Sequence, residues 1–271
     1  MRSHDGIRLT AEGSAILEVA LEMQSLGSRL QRDLGDESVV RHGRISICCS
    51  EGIGEFWLAP RLLSLQERLP RHDVSLHNDF NQTRIDPRNS DLSVGFLRPA
   101  GMDTVVSRLA SLHFMVYASH DYIARNGAPT SINEAKKHRF VVHEAPGMAP
   151  DLANIFIGEA ASRQIMTTRV NTSSSLFRAI ANGVGIGALP TYVRTQSMQV
   201  RPLDLPIQLK FDLWLSFERS AKSSVPVRIA IDWLHECFDP QKYPWFAEDF
   251  IHPDEFGDLA EIPPQPSDFS R

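Results

Sequence analysis

Arg44-Ile45-Ser46-Ile47-Cys48-Cys49, then Ser50-Glu51-Gly52-Ile53-Gly54, then a helical run to Leu69 and Pro70, then Val74-Ser75-Leu76-His77: this stretch sets the fold class. Its first six residues are a short apolar run bounded by turn residues, which predicts a strand. Ser50 to Gly54, with two glycines, reads as a turn. The following helix stops at Leu69, because the residue before a proline avoids helical backbone and proline cannot continue the helix. Val74 to His77 reads as a second strand. Strand, helix and strand in this order form one βαβ unit, so the chain is expected to be α/β.

Downstream the alternation continues. Asp91-Leu92-Ser93-Val94-Gly95-Phe96, Phe114-Met115-Val116-Tyr117-Ala118, Arg139-Phe140-Val141-Val142-His143, Ile165-Met166-Thr167-Thr168-Arg169-Val170 and Leu213-Trp214-Leu215-Ser216-Phe217 read as strands. Between them stand Tyr122-Ile123-Ala124-Arg125 with a turn at Asn126-Gly127, and a helix from Ser174 to Asn182 closed by Gly183. Trp233-Leu234-His235-Glu236-Cys237-Phe238 reads as the end of a terminal helix. The aromatics after it, Tyr243, Trp245, Phe246, Phe250 and Phe256, are expected to pack on the parent domain, the other reading being a partner surface. Ile262-Pro263-Pro264-Gln265-Pro266-Ser267 is expected to be disordered or extended.

Upstream, Ile16, Val19, Ala20, Met23, Leu26 and Leu30 recur three and four residues apart in a run that starts after Thr10-Ala11-Glu12-Gly13-Ser14. That spacing predicts an amphipathic helix. Its apolar stripe either pairs with a second copy of itself or packs on its own domain. Ser38 to Gly43 is polar and reads as a linker.

The 271 residues suffice for one large or two modest α/β units. Hydrophobic residues at 42% and charged residues at 23% are ordinary for a soluble globular protein, and no apolar run reaches membrane-spanning length. The N-terminus carries no secretory signal pattern, so a cytoplasmic location is expected, with no membrane partner. Cys48, Cys49 and Cys237 are too few and unevenly placed for a disulfide framework and read as buried thiols. The net charge of −5 belongs to the tail. From Asp239 onward eight acidic residues face Lys242 and Arg271, which leaves 25 acidic and 26 basic residues in the body. A neutral body offers no electrostatic footprint for phosphates, so strong DNA binding by these residues alone is not expected. Enzyme signatures are missing: no Gly-x-Ser-x-Gly elbow, no His-Glu-x-x-His, no paired Cys-x-x-Cys and no phosphate loop. Gly183-Val184-Gly185-Ile186-Gly187 follows a helix, where a dinucleotide fingerprint must follow a strand. The histidines show no metal-ligand spacing, and no metal or cofactor is expected.

Several spaced motifs occur in order. They are Gly6-Ile7-Arg8-Leu9-Thr10-Ala11-Glu12-Gly13, Gly43-Arg44-Ile45-Ser46-Ile47, Leu58-Ala59-Pro60, Leu69-Pro70, Asp91-Leu92-Ser93-Val94 and Ala118-Ser119-His120-Asp121-Tyr122-Ile123-Ala124. Asn171-Thr172-Ser173, followed by Ala181-Asn182-Gly183-Val184-Gly185-Ile186-Gly187-Ala188-Leu189-Pro190, is the most specific. In this order and spacing the chain resembles the LysR-type transcriptional regulators. The resemblance implies a type 2 periplasmic-binding-protein-like effector domain of two α/β subdomains, preceded by a long linker helix. Residues 1–13 would then be a remnant of a winged helix-turn-helix and 14–37 the dimerisation helix. Residues 43–109 with 214–250 would form subdomain I, 110–213 subdomain II, and 251–271 an acidic, proline-containing tail. Crossings are expected near Ala110 and Leu213. The implied partners are a small-molecule effector, with an organic acid or amino acid as the family's usual choice, and the chain itself as dimer or tetramer. Promoter DNA would be a partner only where the missing DNA-reading helices are supplied. A ligand-binding remnant that does not touch DNA, or a solute-binding protein, are the alternatives. Asp86-Pro87 departs from the family by breaking a helix usually present there.

Open α/β sheets bind ligands at the carboxyl ends of strands and the amino ends of helices. The candidate effector contacts are therefore Ser50, Glu51 and Gly52, Phe96 and Leu97, His143 and Glu144, and Thr172, Ser173 and Ser174, whose helix is expected to point its N–H groups into the cleft. Helix capping is the simpler role for the serines. Glu51 either faces solvent or recognises an amino group. No arginine clamp for a carboxylate is evident.

Overall fold

The computed structural model describes residues 2–3, 6–7, 10, 12–13, 16, 19–20, 23, 43–79, 90–100, 103–144 and 167–256. They divide into two compact units, Met1–Gly43 and Arg44–Arg271.

In the first unit, β1 (Arg2–Ser3) and β2 (Gly6–Ile7) form an antiparallel ribbon with Arg2 opposite Ile7. Residues 12, 13, 16, 19, 20 and 23 are helical. The Thr10 hydroxyl accepts from the Gly13 N–H at 3.1 Å, satisfying a donor the helix start leaves free. Ile16, Val19 and Met23 are 69%, 56% and 68% exposed, and Ala20 is exposed too. Leu26 and Leu30 lie outside the described residues, as do Asp86-Pro87 and the tail beyond residue 256.

The second unit starts on β3 (Gly43–Ser50), buried without a break from Ile45 to Ser50 as a strand covered on both faces must be. A continuous helical segment follows directly: α1 (Glu51–Ile53), a π turn (Gly54–Leu58), a 3-10 turn (Ala59–Arg61) and α2 (Leu62–Arg68). The expected turn at Ser50 to Gly54 is thus corrected to helix. Its glycines serve close approach rather than a bend. A Cβ on Gly54 would sit 1.8 Å from Asn78 Oδ1, and one on Gly52 would sit 2.7 Å from Ser173 Oγ. Pro60 lacks the N–H that would bond the Phe56 carbonyl four residues back; the Gln196 side chain donates to that carbonyl instead, at 2.6 Å.

The remaining described strands and α-helices of this unit are β4 (His72–Asp79), β5 (Leu92–Gly95), β6 (Thr104–Ser119), α3 (His120–Asn126), α4 (Ile132–Ala135), β7 (Phe140–His143), β8 (Thr167–Val170), α5 (Ser173–Ala181), β9 (Gly187–Pro190), α6 (Val193–Gln196), β10 (Val200–Pro202), β11 (Leu209–Glu218) and α7 (Val225–Cys237). One sheet runs β10-β6-β11-β5-β3-β4, with β9 also paired to β6, and β7 pairs with β8 in parallel. Strands β6 and β11 are far longer than the Phe114–Ala118 and Leu213–Phe217 segments expected. They pair antiparallel from Leu209 opposite Phe114 to Glu218 opposite Thr104, interrupted by a β-bulge between Leu213 and Trp214. Gly183 closes α5 at φ 72°, a left-handed conformation that glycine takes without a Cβ clash.

The larger core centres on Trp57. Tyr243, Trp245, Phe246 and Tyr192 surround its ring at centroid distances of 5.0, 5.7, 4.9 and 5.5 Å. The Trp57 indole N–H donates to the Cys237 carbonyl at 2.9 Å, and the Arg61 guanidinium lies 3.4 Å from the ring centroid. Trp245, Phe246 and Phe256 are buried, so these tail aromatics pack on the parent unit as expected. A second cluster joins Val116, Ala118, Tyr122, Phe140, Val142, Ile186, Leu203, Leu205 and Ile207. All three cysteines are buried thiols outside any disulfide; burial pushes the Cys237 thiol up to about 12, which keeps it protonated and inert.

Candidate functional site

The ends of β3, β5 and β7 and the start of α5 converge on a cavity of about 70 Å³. Of the ten effector contacts expected from sequence, six line it: Ser50, Glu51, Gly52, Phe96, His143 and Ser173. The other four do not. Leu97 is 49% exposed, and Glu144 forms an exposed ion pair with Arg169. Thr172 is the N-cap of α5, and Ser174 is tied to Glu51.

Glu51 takes neither role foreseen for it. Its carboxylate accepts from the Ser173 N–H at 2.7 Å, the Ser174 N–H at 3.3 Å and the Ser174 hydroxyl at 2.9 Å. The Thr172 hydroxyl oxygen accepts from the Ser175 N–H at 3.2 Å, and the Leu176 N–H bonds the Thr172 carbonyl at 3.0 Å. Each donor that opens α5 is therefore engaged within the chain. The expectation that these N–H groups are offered to a ligand is corrected: a carboxylate of the protein, favoured at this end by the helix dipole, already occupies them.

Burial alone would push the Glu51 carboxyl up. The Ser173 backbone bond, then hydrogen bonds from Glu55, Ser173 and Ser174, outweigh it and hold the group below the usual range. Glu55 goes the other way: burial, its hydrogen bond with Glu51 and the Glu51 charge all raise it. Of the two, Glu55 is the one that protonates first as the pH falls.

The wall also carries two buried polar atoms with no hydrogen-bond partner among the described residues, Ser50 Oγ and His143 Nε2. Ser50 is only 3% exposed. Desolvation holds His143 below the usual histidine range, against a hydrogen bond with the Asn171 backbone and the Glu51 charge. The ring is neutral at pH 7.

Sequence reasoning missed the apolar wall: Ile53, Phe56, Leu112, Phe114, Leu176, Phe177, Tyr192, Val193 and the β9 residues Ala188 to Pro190. Part of the signal was present. Phe56 stands four residues beyond Gly52, and Leu176 and Phe177 three and four beyond Ser173, so each continues the helix face its N-terminal residue begins.

Residues 39–239 match the LysR substrate binding domain. The chain belongs to this family. Relatives include the probable HTH-type transcriptional regulator LtrA of Klebsiella pneumoniae, 21% identical over 85% of this chain and 77% of that protein. The HTH-type transcriptional activator TtdR of Escherichia coli is 22% identical over 86% and 77%. Among solved structures, the regulatory domain of the LysR-type regulator CrgA from Neisseria meningitidis aligns with TM-score 0.61 at 19% identity, over 72% of this chain and 98% of that one. The CcmR regulatory domain of Synechocystis, solved in complex with 2-PG, aligns with TM-score 0.55 at 20% identity, over 72% and 96%. The fold is thus that of a LysR regulatory domain, type 2 periplasmic-binding-protein-like. Among the described residues, no helix is long and apolar enough to cross a membrane.

Proposed function

We propose that this LysR substrate-binding domain senses a small-molecule effector in the cavity between β3, β5, β7 and α5, and that binding modulates transcription by a cytoplasmic regulator. The carrying observation is a mostly apolar cavity at the strand ends with Ser50 Oγ and His143 Nε2 on its wall, both without a partner among the described residues. Buried polar groups are almost always paired, so two unpaired ones in one concave wall favour an absent ligand's polar group over packing. The role assigned is binding, not bond-making. A ligand that prefers one arrangement of the domain shifts the population of arrangements by its differential affinity.

In this reading residues 43–109 with 214–250, and residues 110–213, are the two subdomains. Strands β6 and β11 cross between them, and the bulge at Leu213/Trp214 supports a bend there. The exposed apolar face of Ile16, Val19, Ala20 and Met23, continued in sequence by Leu26 and Leu30, pairs with a second copy. Promoter DNA is the further partner in this reading, engaged through a winged helix-turn-helix.

Calorimetric titration of a small-molecule panel, with Leu189→Trp filling the cavity, tests the sensing role. Binding that the filled variant loses, while its melting cooperativity is kept, is the expected result; binding indifferent to the filling sinks it. Sedimentation of Val19→Asp tests self-association: the expected result is a shift to monomer.

A further inference from the structure

The unpaired atoms and the occupied helix start together say what kind of molecule fits. An anionic ligand in such a cavity needs a cation or a set of free N–H donors, since an unpaired buried charge is costly. Among the described residues that line it there is no lysine or arginine. The α5 donors are spent on Glu51, whose own charge would repel a second carboxylate. A cationic ligand would have to compete for Glu51 oxygens that already hold three hydrogen bonds. What is left is an apolar surface, including Phe96, Phe114, Leu176 and Phe177, with one hydroxyl and one neutral imidazole nitrogen unsatisfied among the described residues.

We infer that the cleft takes a compact, uncharged, mainly apolar molecule with a single hydrogen-bonding group, held by Ser50 Oγ and His143 Nε2, and that Glu51 acts as a built-in carboxylate that excludes anionic effectors. This rests on the reading of the cavity as the effector site. It departs from the organic acid or amino acid that family resemblance alone suggests. A cavity of about 70 Å³ is smaller than the roughly 150 Å³ that accepts benzene in an apolar protein interior. The ligand is therefore small, or the walls move apart to admit it.

Ligand-observed NMR with two size-matched sets tests the inference: 1-butanol, butyrate and butylammonium, and benzyl alcohol, benzoate and benzylammonium. Each is titrated into the wild-type chain, Glu51→Ala, Ser50→Val and Leu189→Trp, with melting curves to show that every variant folds. The expected result is that an alcohol binds the wild type at least about tenfold more tightly than its charged partners. Ser50→Val weakens it several-fold, and Glu51→Ala raises carboxylate affinity. Leu189→Trp abolishes all binding. If butyrate, benzoate or an ammonium binds the wild type as tightly as the alcohol and Leu189→Trp removes it, the site stands and the neutral-ligand inference falls. If no probe binds any variant, or binding ignores Leu189→Trp, the reading of the cavity itself falls, and the inference with it.

Discussion

Tyr192 has the aromatic core on one side and the cavity on the other. Toward Trp57, rings meet at 4.9 to 6.5 Å, and the Trp57 indole and Arg61 find carbonyl acceptors. Toward α5, apolar side chains of similar kind enclose space, and Ser50 and His143 hold polar atoms without partners among the described residues. Composition does not separate the two regions, since phenylalanines and leucines serve in both. What separates them is packing. The filled side closes ring against ring and contributes stability, although the Trp245 indole nitrogen there also has no partner among the described residues; the hollow side leaves space against its walls.

The largest effect should come from emptying the filled side. Trp57→Ala removes a fully buried ring and leaves the Cys237 carbonyl and the Arg61 guanidinium without it, for an expected loss of about 3–5 kcal/mol in chemical denaturation. Leu176→Ala, on the cavity wall, already faces space and should cost clearly less than the usual range for a buried leucine. Equal losses at the two positions would erase the distinction between the regions.

Overfilling comes next. A Cβ on Gly54 would overlap Asn78 Oδ1 at 1.8 Å and Cys49 Sγ at 2.8 Å, so Gly54→Ala should destabilise by about 1–3 kcal/mol despite alanine's better helix propensity. A melting temperature at or above wild type would show that Asn78 moves aside freely.

That glycine also marks the limit of what the sequence disclosed. The βαβ start, seven of the strands, the Gly183 stop and the return of the tail aromatics were legible, because they depend on local spacing and on turn residues, whereas β9 and β10 went unread. Gly52 and Gly54 misread as a turn, because a glycine kept for close approach looks the same in sequence as one kept for a bend. Six of the ten expected site residues reached the cavity because strand ends and helix starts are marked locally. Glu51 was misjudged since its partners Ser173 and Ser174 lie more than a hundred residues away, and no local pattern records such a contact. The lengths of β6 and β11 were hidden for a related reason: two long strands support each other through pairing that neither shows alone.

A smaller effect follows the Glu51 contact through pH. Because the folded state holds this carboxyl below its ordinary value of about 4.3, its contribution is present above that value and is lost as pH falls through the folded pKa. Glu55, shifted up, contributes with the opposite sign, so the comparison is made with Glu55→Gln in both proteins. On that background Glu51→Gln should lower the melting temperature at pH 7, by an amount matching about 0.5–2 kcal/mol for a helix-start acceptor, and the gap should close toward pH 3. A gap constant from pH 7 to pH 3 would mean that the carboxylate charge contributes nothing at the α5 start.

The smallest effect expected is at the surface of the filled side. Arg68 on α2 meets Glu236 on α7 through two hydrogen bonds, at 2.8 and 2.6 Å, which hold Glu236 below the usual carboxylate range. Both side chains stand largely in solvent, where water screens the attraction and ordering two long side chains offsets much of it. Arg68→Ala should therefore cost no more than about 1 kcal/mol, and less in high salt. If the loss approached that of Trp57→Ala and persisted in salt, the stability of this side would lie in the docking of α2 on α7 rather than in the rings beneath them.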